Sequence, residues 1–208
     1  MNTLEGKVIV LTGAAGGIGE ATARLAHAQG ASVLVTDRES GPVEAIAGSL
    51  GERARALAVD VTRREDNERM VTFAEEQFGR IDAAFLNAGV EGEVGSFHSR
   101  TDEAWSRVFD VNVHGVRLGA QAVIPALRRA GGGSIVMTSS VAGLRGAAGL
   151  APYVSSKHAV VGMMRCLAAE LGPEGIRVNT LNPGPVDNRM MRSIEEQANP
   201  GQIGRAHV

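Results

Sequence analysis

Short runs of β-branched and aliphatic residues alternate along this chain with longer stretches whose apolar positions recur every three to four residues. Residues 7–11 (Lys-Val-Ile-Val-Leu) read as a strand buried on both faces. A glycine-rich turn follows, then a helix over 18–29 that Gly30 stops. The alternation continues with a strand at 31–36 ending at Asp37, a helix at 40–50 closed by Gly51, and a strand at 55–59 ending at Asp60. Thr62 is placed to cap a helix running to Phe78 and closed by Gly79. A strand at 81–86 leads into Asn87-Ala88-Gly89, and a polar loop spans 90–100. Thr101-Asp102-Glu103-Ala104 then opens a long helix ending near Arg129, ahead of Gly131-Gly132-Gly133. A strand at 134–138, a loop over 141–151, a helix from Pro152 at its N1 position to about Leu171, and a strand at 176–181 follow. Strict strand–helix alternation predicts an α/β fold: a doubly wound parallel sheet with helices on both faces and right-handed crossovers.

Composition narrows this further. With 208 residues, 44% hydrophobic, the chain is long enough for one sizeable core and a single domain. A net charge of −2 offers no basic face for nucleic acid. No apolar run approaches the length of a membrane span, and the first residues lack the basic and apolar regions of a signal peptide. The lone Cys166 excludes an internal disulfide, which fits a reducing cytoplasm, and its place in a predicted helix reads as a small buried residue. The five His residues have no metal-ligand spacing, so no metal is expected, and His114 and His158 need no role. The 27 glycines fall at element ends, so they argue for turns and not for disorder.

The candidate chemistry lies at the strand ends. Thr12-Gly13-x-x-x-Gly17-x-Gly19 follows a strand and opens a helix, the context in which a glycine pattern predicts a dinucleotide. Gly13 suits the tight turn. Gly17 and Gly19, flanking Ile18, let the backbone approach a pyrophosphate at the helix N-terminus. Asp37 closes the second strand, where a carboxylate grips ribose hydroxyls and repels a 2′-phosphate; this favours NAD over NADP. Arg38 beside it works against that repulsion, and a plain turn residue is the other reading of Asp37. Asp60 and Val61 are placed to flank the adenine. Tyr153 and Lys157, four apart on a helix, share one face, so the ammonium can make the phenol more acidic. Moving a tyrosine from about 10 to about 7 takes roughly 4 kcal/mol, which a lysine cation and an oxidised nicotinamide together supply.

Residues 12–19, Asp60, Asn87-Ala88-Gly89, Asn112, Ser140, Tyr153, Lys157 and Pro183-Gly184, in this order and spacing, resemble the classical short-chain dehydrogenase/reductase family over about residues 5–195. The resemblance implies a Rossmann-like single domain and a role for each motif. Tyr153 is then the general acid/base, and Lys157 holds the nicotinamide ribose and lowers the Tyr153 pKa. Ser140, and not its neighbour Ser139, bonds the substrate oxygen, while Asn112 fixes a water in a proton relay. Asn87, Ala88, Gly89, Pro183, Gly184 and Val186 line the cofactor. Two positions depart from the family pattern: Leu86 stands where a first asparagine is common, and Asn188 where a threonine near the carboxamide is usual. The implied function is an NAD-dependent oxidoreductase interconverting a secondary alcohol and a ketone. The alternatives are an NADP-dependent 3-oxoacyl-type ketoreductase and a catalytically inactive truncated or nucleotide-binding fragment. A small-molecule alcohol or ketone is the expected partner, and a homodimer or homotetramer through the two long helices the expected assembly.

The family continues through a further helix and strand, so residues 1–202 read as a domain stopping short of both. Residues 203–208, Ile-Gly-Arg-Ala-His-Val, match one frame of a widely used sequencing adapter. The expectation is that the native C-terminus is replaced there.

Overall fold

The computed structural model describes residues 3–198; residues 203–208, and with them the adapter reading, lie outside the described residues. Six strands form one sheet: β1 (Val8–Thr12), β2 (Ser32–Asp37), β3 (Ala54–Ala58), β4 (Ala83–Leu86), β5 (Gly133–Thr138) and β6 (Ile176–Leu181). Their order is β3-β2-β1-β4-β5-β6, and every pairing is parallel. This is the doubly wound order, in which the chain reverses direction across the sheet after β3 and leaves a crevice beyond the carboxyl ends of β1 and β4.

Alternation within the strands feeds two cores. Val10, Leu34, Leu86, Ile135 and Met137 point to one face, against α3 (Arg64–Phe78), α5 (Val116–Arg129) and α6 (Ala151–Leu171). Leu11, Val33, Val35 and Phe85 point to the other, against α1 (Gly17–Ala28) and α2 (Ser40–Leu50). Both faces of the central strands are covered, which is why their sequences run apolar without a break. At the amino end of the sheet the buried Asp82 accepts from Val8 N–H at 3.0 Å and from Arg80 Nη2 at 2.8 Å, pinning β4 to β1.

Several elements differ from the sequence pattern. Thr62 does not cap α3; Arg63 is the N-cap, and Thr62 instead donates its hydroxyl to Asp60 Oδ1 at 2.7 Å. Asp60 thus turns the chain itself, in an Asx arrangement that outcompetes the cap. Thr101 does cap its helix, accepting from Ala104 N–H at 3.2 Å. The long helix it opens is not uniform: α4 (Asp102–Phe109) passes through a π-helical turn at Asp110–Gly115 before α5. Pro152 stands second in α6, because Ala151 already begins the helix. Cys166 is exposed, not buried: it lies on the outward side of α6 with Arg165 and Gly162. A further helix follows β6: α7 (Arg189–Ala198), which corrects the expectation that the chain stops short of one.

Candidate active site

The glycine turn is built around close backbone approaches. Gly13 has φ +65°, and a Cβ there would stand 2.7 Å from Ala88 Cα. A Cβ on Gly19 would collide with Gly13 O and Ala14 Cα. A side chain at either position would therefore push the turn out of the crevice. Gly16 caps α1 with no side-chain bond to the helix, and residues 15–17 are exposed. The first N–H groups of α1 thus face solvent at the positive end of the helix dipole, which suits a phosphate. Ile18 flanks them, half-buried.

Asp37 is held at the tip of β2: it accepts from Ala15 N–H at 3.1 Å and from Arg38 N–H at 2.8 Å. Its carboxylate therefore stands beside the glycine turn. Arg38 is exposed, and its guanidinium lies 3.9 Å from the Glu39 carboxylate. Asp60 and Val61 lie just past β3. Val61 packs against Gly115 in the π turn, where a Cβ would come within 2.8 Å of Val61 Cγ2.

Asn87, Ala88 and Gly89 extend β4 into the crevice. The backbone N–H groups of Asn87 and Ala88 donate to Thr12 Oγ1 at 3.0 and 3.2 Å. The Asn87 amide donates to Gly13 O at 3.0 Å and accepts from Thr138 Oγ1 at 3.0 Å. One side chain thereby ties β4 to both flanking strands. Gly89 sits where a Cβ would be 3.2 Å from Asn112 Oδ1 and 3.3 Å from Lys157 Nζ.

The four residues expected to carry the chemistry converge here. Asn112 is fully buried in the π turn; it accepts from Val90 N–H at 2.8 Å and donates to Val90 O at 2.9 Å and Ser156 Oγ at 3.0 Å. Both its donors are spent, so a relay water would have to meet its Oδ1 or its main chain. Lys157, buried, donates to Thr138 O at 2.9 Å, and its Nζ lies 5.5 Å from the Tyr153 ring centroid. Ser140 lies near enough to Tyr153 to lower its pKa; its hydroxyl accepts from Ala142 N–H at 3.1 Å and donates to Pro183 O at 3.5 Å. Ser139 faces the opposite way, donating to Lys157 O at 2.9 Å, which anchors the β5 end to α6. Pro183 O accepts from Val141 N–H at 3.0 Å, while Gly184 and the exposed Val186 form an open rim.

The electrostatics depart from the sequence reading in one respect. Burial pushes the Tyr153 phenol above its ordinary value; the Ser140 hydrogen bond lowers it and the Glu91 charge raises it further. The same burial depresses Lys157 to about 8. Among this chain's own groups, desolvation and the Glu91 charge outweigh the Ser140 contribution, so the phenol stays protonated at neutral pH.

Some participants had no clear signal in the sequence. Ser156 links Asn112 to α6, accepting from the amide and donating to Tyr153 O at 2.7 Å. Its only hint is a polar residue three positions after Tyr153. Asn188, expected from the sequence near the carboxamide, accepts from Met191 N–H at 2.9 Å and so acts as the cap of α7. Glu91 is buried and paired with Arg189 of α7, and Met190 Sδ stands 4.0 Å from Tyr153 Oη. Among the described residues no cluster of three His, Cys, Asp or Glu side chains is arranged to hold a metal ion.

The glycine cradle, the open α1 terminus and the strand-tip carboxylate fit a nicotinamide dinucleotide. Comparison with known proteins agrees. A short chain dehydrogenase family model matches residues 7–199. The chain is 38% identical to cyclohexanol dehydrogenase of Acinetobacter sp. (strain SE19) over 198 residues, covering 94% of this chain and 79% of that protein. It is 37% identical to levodione reductase of Leifsonia aquatica over 199 residues, covering 93% of this chain and 74% of that one. The crystal structure of 3-ketoacyl-(acyl-carrier-protein) reductase from Brucella melitensis complexed with NADH superposes with a TM-score of 0.90 at 33% identity, covering 92% of this chain and 80% of that one.

Proposed function

Because the chain belongs to the short chain dehydrogenase family and is an oxidoreductase of its CH–OH class, we propose that it uses NAD to interconvert a secondary alcohol and a ketone, with Tyr153 as general acid and base. The observation that carries this reading is the convergence of Ser140, Tyr153, Lys157 and Asn112 on the crevice beside the glycine turn. When bound, the cofactor takes or gives the hydride, and its oxidised ring adds positive charge beside the phenol. In carbonyl reduction, charge grows on the substrate oxygen; the Ser140 hydroxyl supports it and Tyr153 Oη delivers the proton. In alcohol oxidation Tyr153 takes the hydroxyl proton as the C–H bond gives up its hydride. Lys157 supplies the cation that favours this second direction, and Asn112 fixes the loop that forms the floor of the site.

Asp37 supports NAD over NADP, since a carboxylate fixed beside the glycine turn repels a 2′-phosphate. The NADP-dependent 3-oxoacyl-type reading rests on Arg38, whose exposed guanidinium could meet that phosphate. We assign Ile18, Asp60, Val61, Asn87, Ala88, Gly89, Pro183, Gly184 and Val186 to the cofactor walls on their places around the crevice. The outward faces of α4, α5 and α6 are the proposed contact of a homodimer or homotetramer. No helix among the described residues is long and apolar enough to cross a membrane; a cytoplasmic location is part of the proposal.

Replacing Tyr153 with Phe tests the assignment, because the ring stays and only the hydroxyl leaves. Turnover of cyclohexanol with NAD is expected to fall by about 10²–10⁴-fold, while NADH binding is retained. Undiminished turnover would reject Tyr153 as the acid and base.

A further inference from the structure

Helix α7 meets the crevice through one face. Arg189 donates Nη1 to Glu91 Oε1 at 3.1 Å and Nη2 to Oε2 at 3.3 Å. Ser193, one turn on, helps hold the Glu91 carboxyl below its usual value and accepts from Gln197 Nε2 at 3.2 Å. Gln197, another turn on, accepts from Val94 N–H at 2.9 Å. Residues 189, 193 and 197 are four apart and so lie along one stripe of the helix. Met190 beside that stripe approaches Tyr153 Oη at 4.0 Å.

The ion pair is asymmetric. The Glu91 side chain is 9% exposed and that of Arg189 75%. Loss of the arginine would leave a carboxylate buried without its cation, whereas loss of the carboxylate would only free an arginine already facing water. Glu91 also follows a fixed segment: Asn87 is tied to Gly13 and Thr138, and Val90 to Asn112 on both its N–H and its C=O. A carboxylate in that position is a rigid post, and α7 is what it holds.

We propose that Glu91 is a positioning residue of the substrate site: paired with Arg189, it clasps α7 over the Tyr153 hydroxyl and sets the Met190 thioether against the place where the substrate oxygen must lie. The catalytic consequence rests on the role proposed for Tyr153, whereas the clasp itself does not. The charged and polar groups facing Tyr153 are Lys157 on its own helix, Ser140 after β5, and Glu91 with its partner Arg189. The pair therefore does two things. It fixes the wall, and it keeps the Glu91 charge, which would otherwise hold the phenol proton more tightly, compensated by a cation.

The test needs no substrate, because Tyr153 is the only tyrosine in the chain. Hydrogen exchange of the α7 amides and the titration of a ¹³Cζ-tyrosine NMR signal are measured on the full chain and on E91Q, R189Q and R189K. Amides of α7 are expected to exchange about three- to ten-fold faster in E91Q and R189Q, with R189K in between. Both glutamine variants loosen α7, so the difference between their tyrosine midpoints reads the two charges of the pair, chiefly the buried Glu91 charge because Arg189 faces water. The midpoint is expected higher in R189Q, where that charge is uncompensated, than in E91Q, where it is gone. Unchanged α7 exchange in both variants, or a midpoint in R189Q equal to or below that in E91Q, would overturn the proposal. A Tyr153→Phe variant that kept its turnover would instead remove the assigned catalyst and leave the exchange result standing.

Discussion

Replacing Lys157 with methionine removes a cation from an interior position while keeping most of the stem's volume. The Lys157 side chain is 2% exposed, and burial lowers its pKa from 10.5 to about 8. A lysine whose folded pKa is depressed destabilises the fold wherever it is protonated. The penalty is fully present below about pH 8, shrinks as pH rises, and is gone above the unfolded value of about 10.4. A shift of this size corresponds to about 3 kcal/mol at pH 7. Against it stands the bond from Nζ to Thr138 O at 2.9 Å, whose loss leaves a buried carbonyl unpaired and costs about 1–2 kcal/mol. Lys157→Met is therefore expected to be more stable than the parent at pH 7 by about 1–2 kcal/mol, a Tm gain of roughly 2–8 °C for a domain of this size. Near pH 9.5 the gain should vanish, because the parent has by then shed most of the penalty. Urea melts of both proteins at the two pH values measure this. The range stops there because Tyr153, held above its ordinary value, costs the fold stability once the unfolded tyrosine ionises near about pH 10. A variant less stable at pH 7, or a difference that does not change with pH, would refute the reasoning. The same variant should lose turnover, since a cation that serves the chemistry is tolerated at the expense of the fold.

Adjacent serines should separate stability from chemistry. Ser139→Ala removes the bond to Lys157 O and should cost about 1 kcal/mol in urea unfolding with kcat nearly kept, whereas Ser140→Ala, which loses its bond from Ala142 N–H, should cost about as much and in addition lower kcat by about 10²-fold. At the other end of the sheet, burial alone would raise the Asp82 carboxyl, but Val8 N–H, Lys7 and Arg80 outweigh it and hold it below the usual carboxylate value. Asp82→Asn is expected to cost about 1–3 kcal/mol at pH 7. Because a depressed carboxylate stabilises only while ionised, the difference between parent and variant should fade as pH drops below about 4.

Much of the fold was legible because it is encoded locally. Uninterrupted apolar strands such as Val8–Thr12, closed by glycines such as Gly79, mark the alternation, and parallel topology follows from it. The missed features depend on distant partners. The π turn is invisible in an unbroken helical pattern; there the Asn112 side chain bonds Val90, 22 residues away. Cys166 was misplaced because α6 has apolar or small residues on several sides and its outward face carries little polar signal. The α7 segment, Arg-Met-Met-Arg-Ser-Ile-Glu-Glu-Gln-Ala, does carry a helical signal that was missed, in Met190, Met191, Ile194 and Ala198, while its grip comes from Glu91, 98 positions earlier. Thr62 failed as a cap because Asp60, two residues before it, formed the stronger local turn. In the site, Tyr153 and Lys157 could be placed on one face from spacing alone. The effect of burial, which raises the phenol and lowers the ammonium, could not, since it depends on how deeply the crevice walls enclose them.

The account stands most directly on the cofactor. A fluorescence titration of this chain with NADH and, separately, NADPH, repeated on Asp37→Ala, measures it. The account predicts that NADH binds at least about ten-fold tighter, a difference of about 1.4 kcal/mol, and that Asp37→Ala narrows the gap. Tighter binding of NADPH, or binding of neither nucleotide, would contradict it.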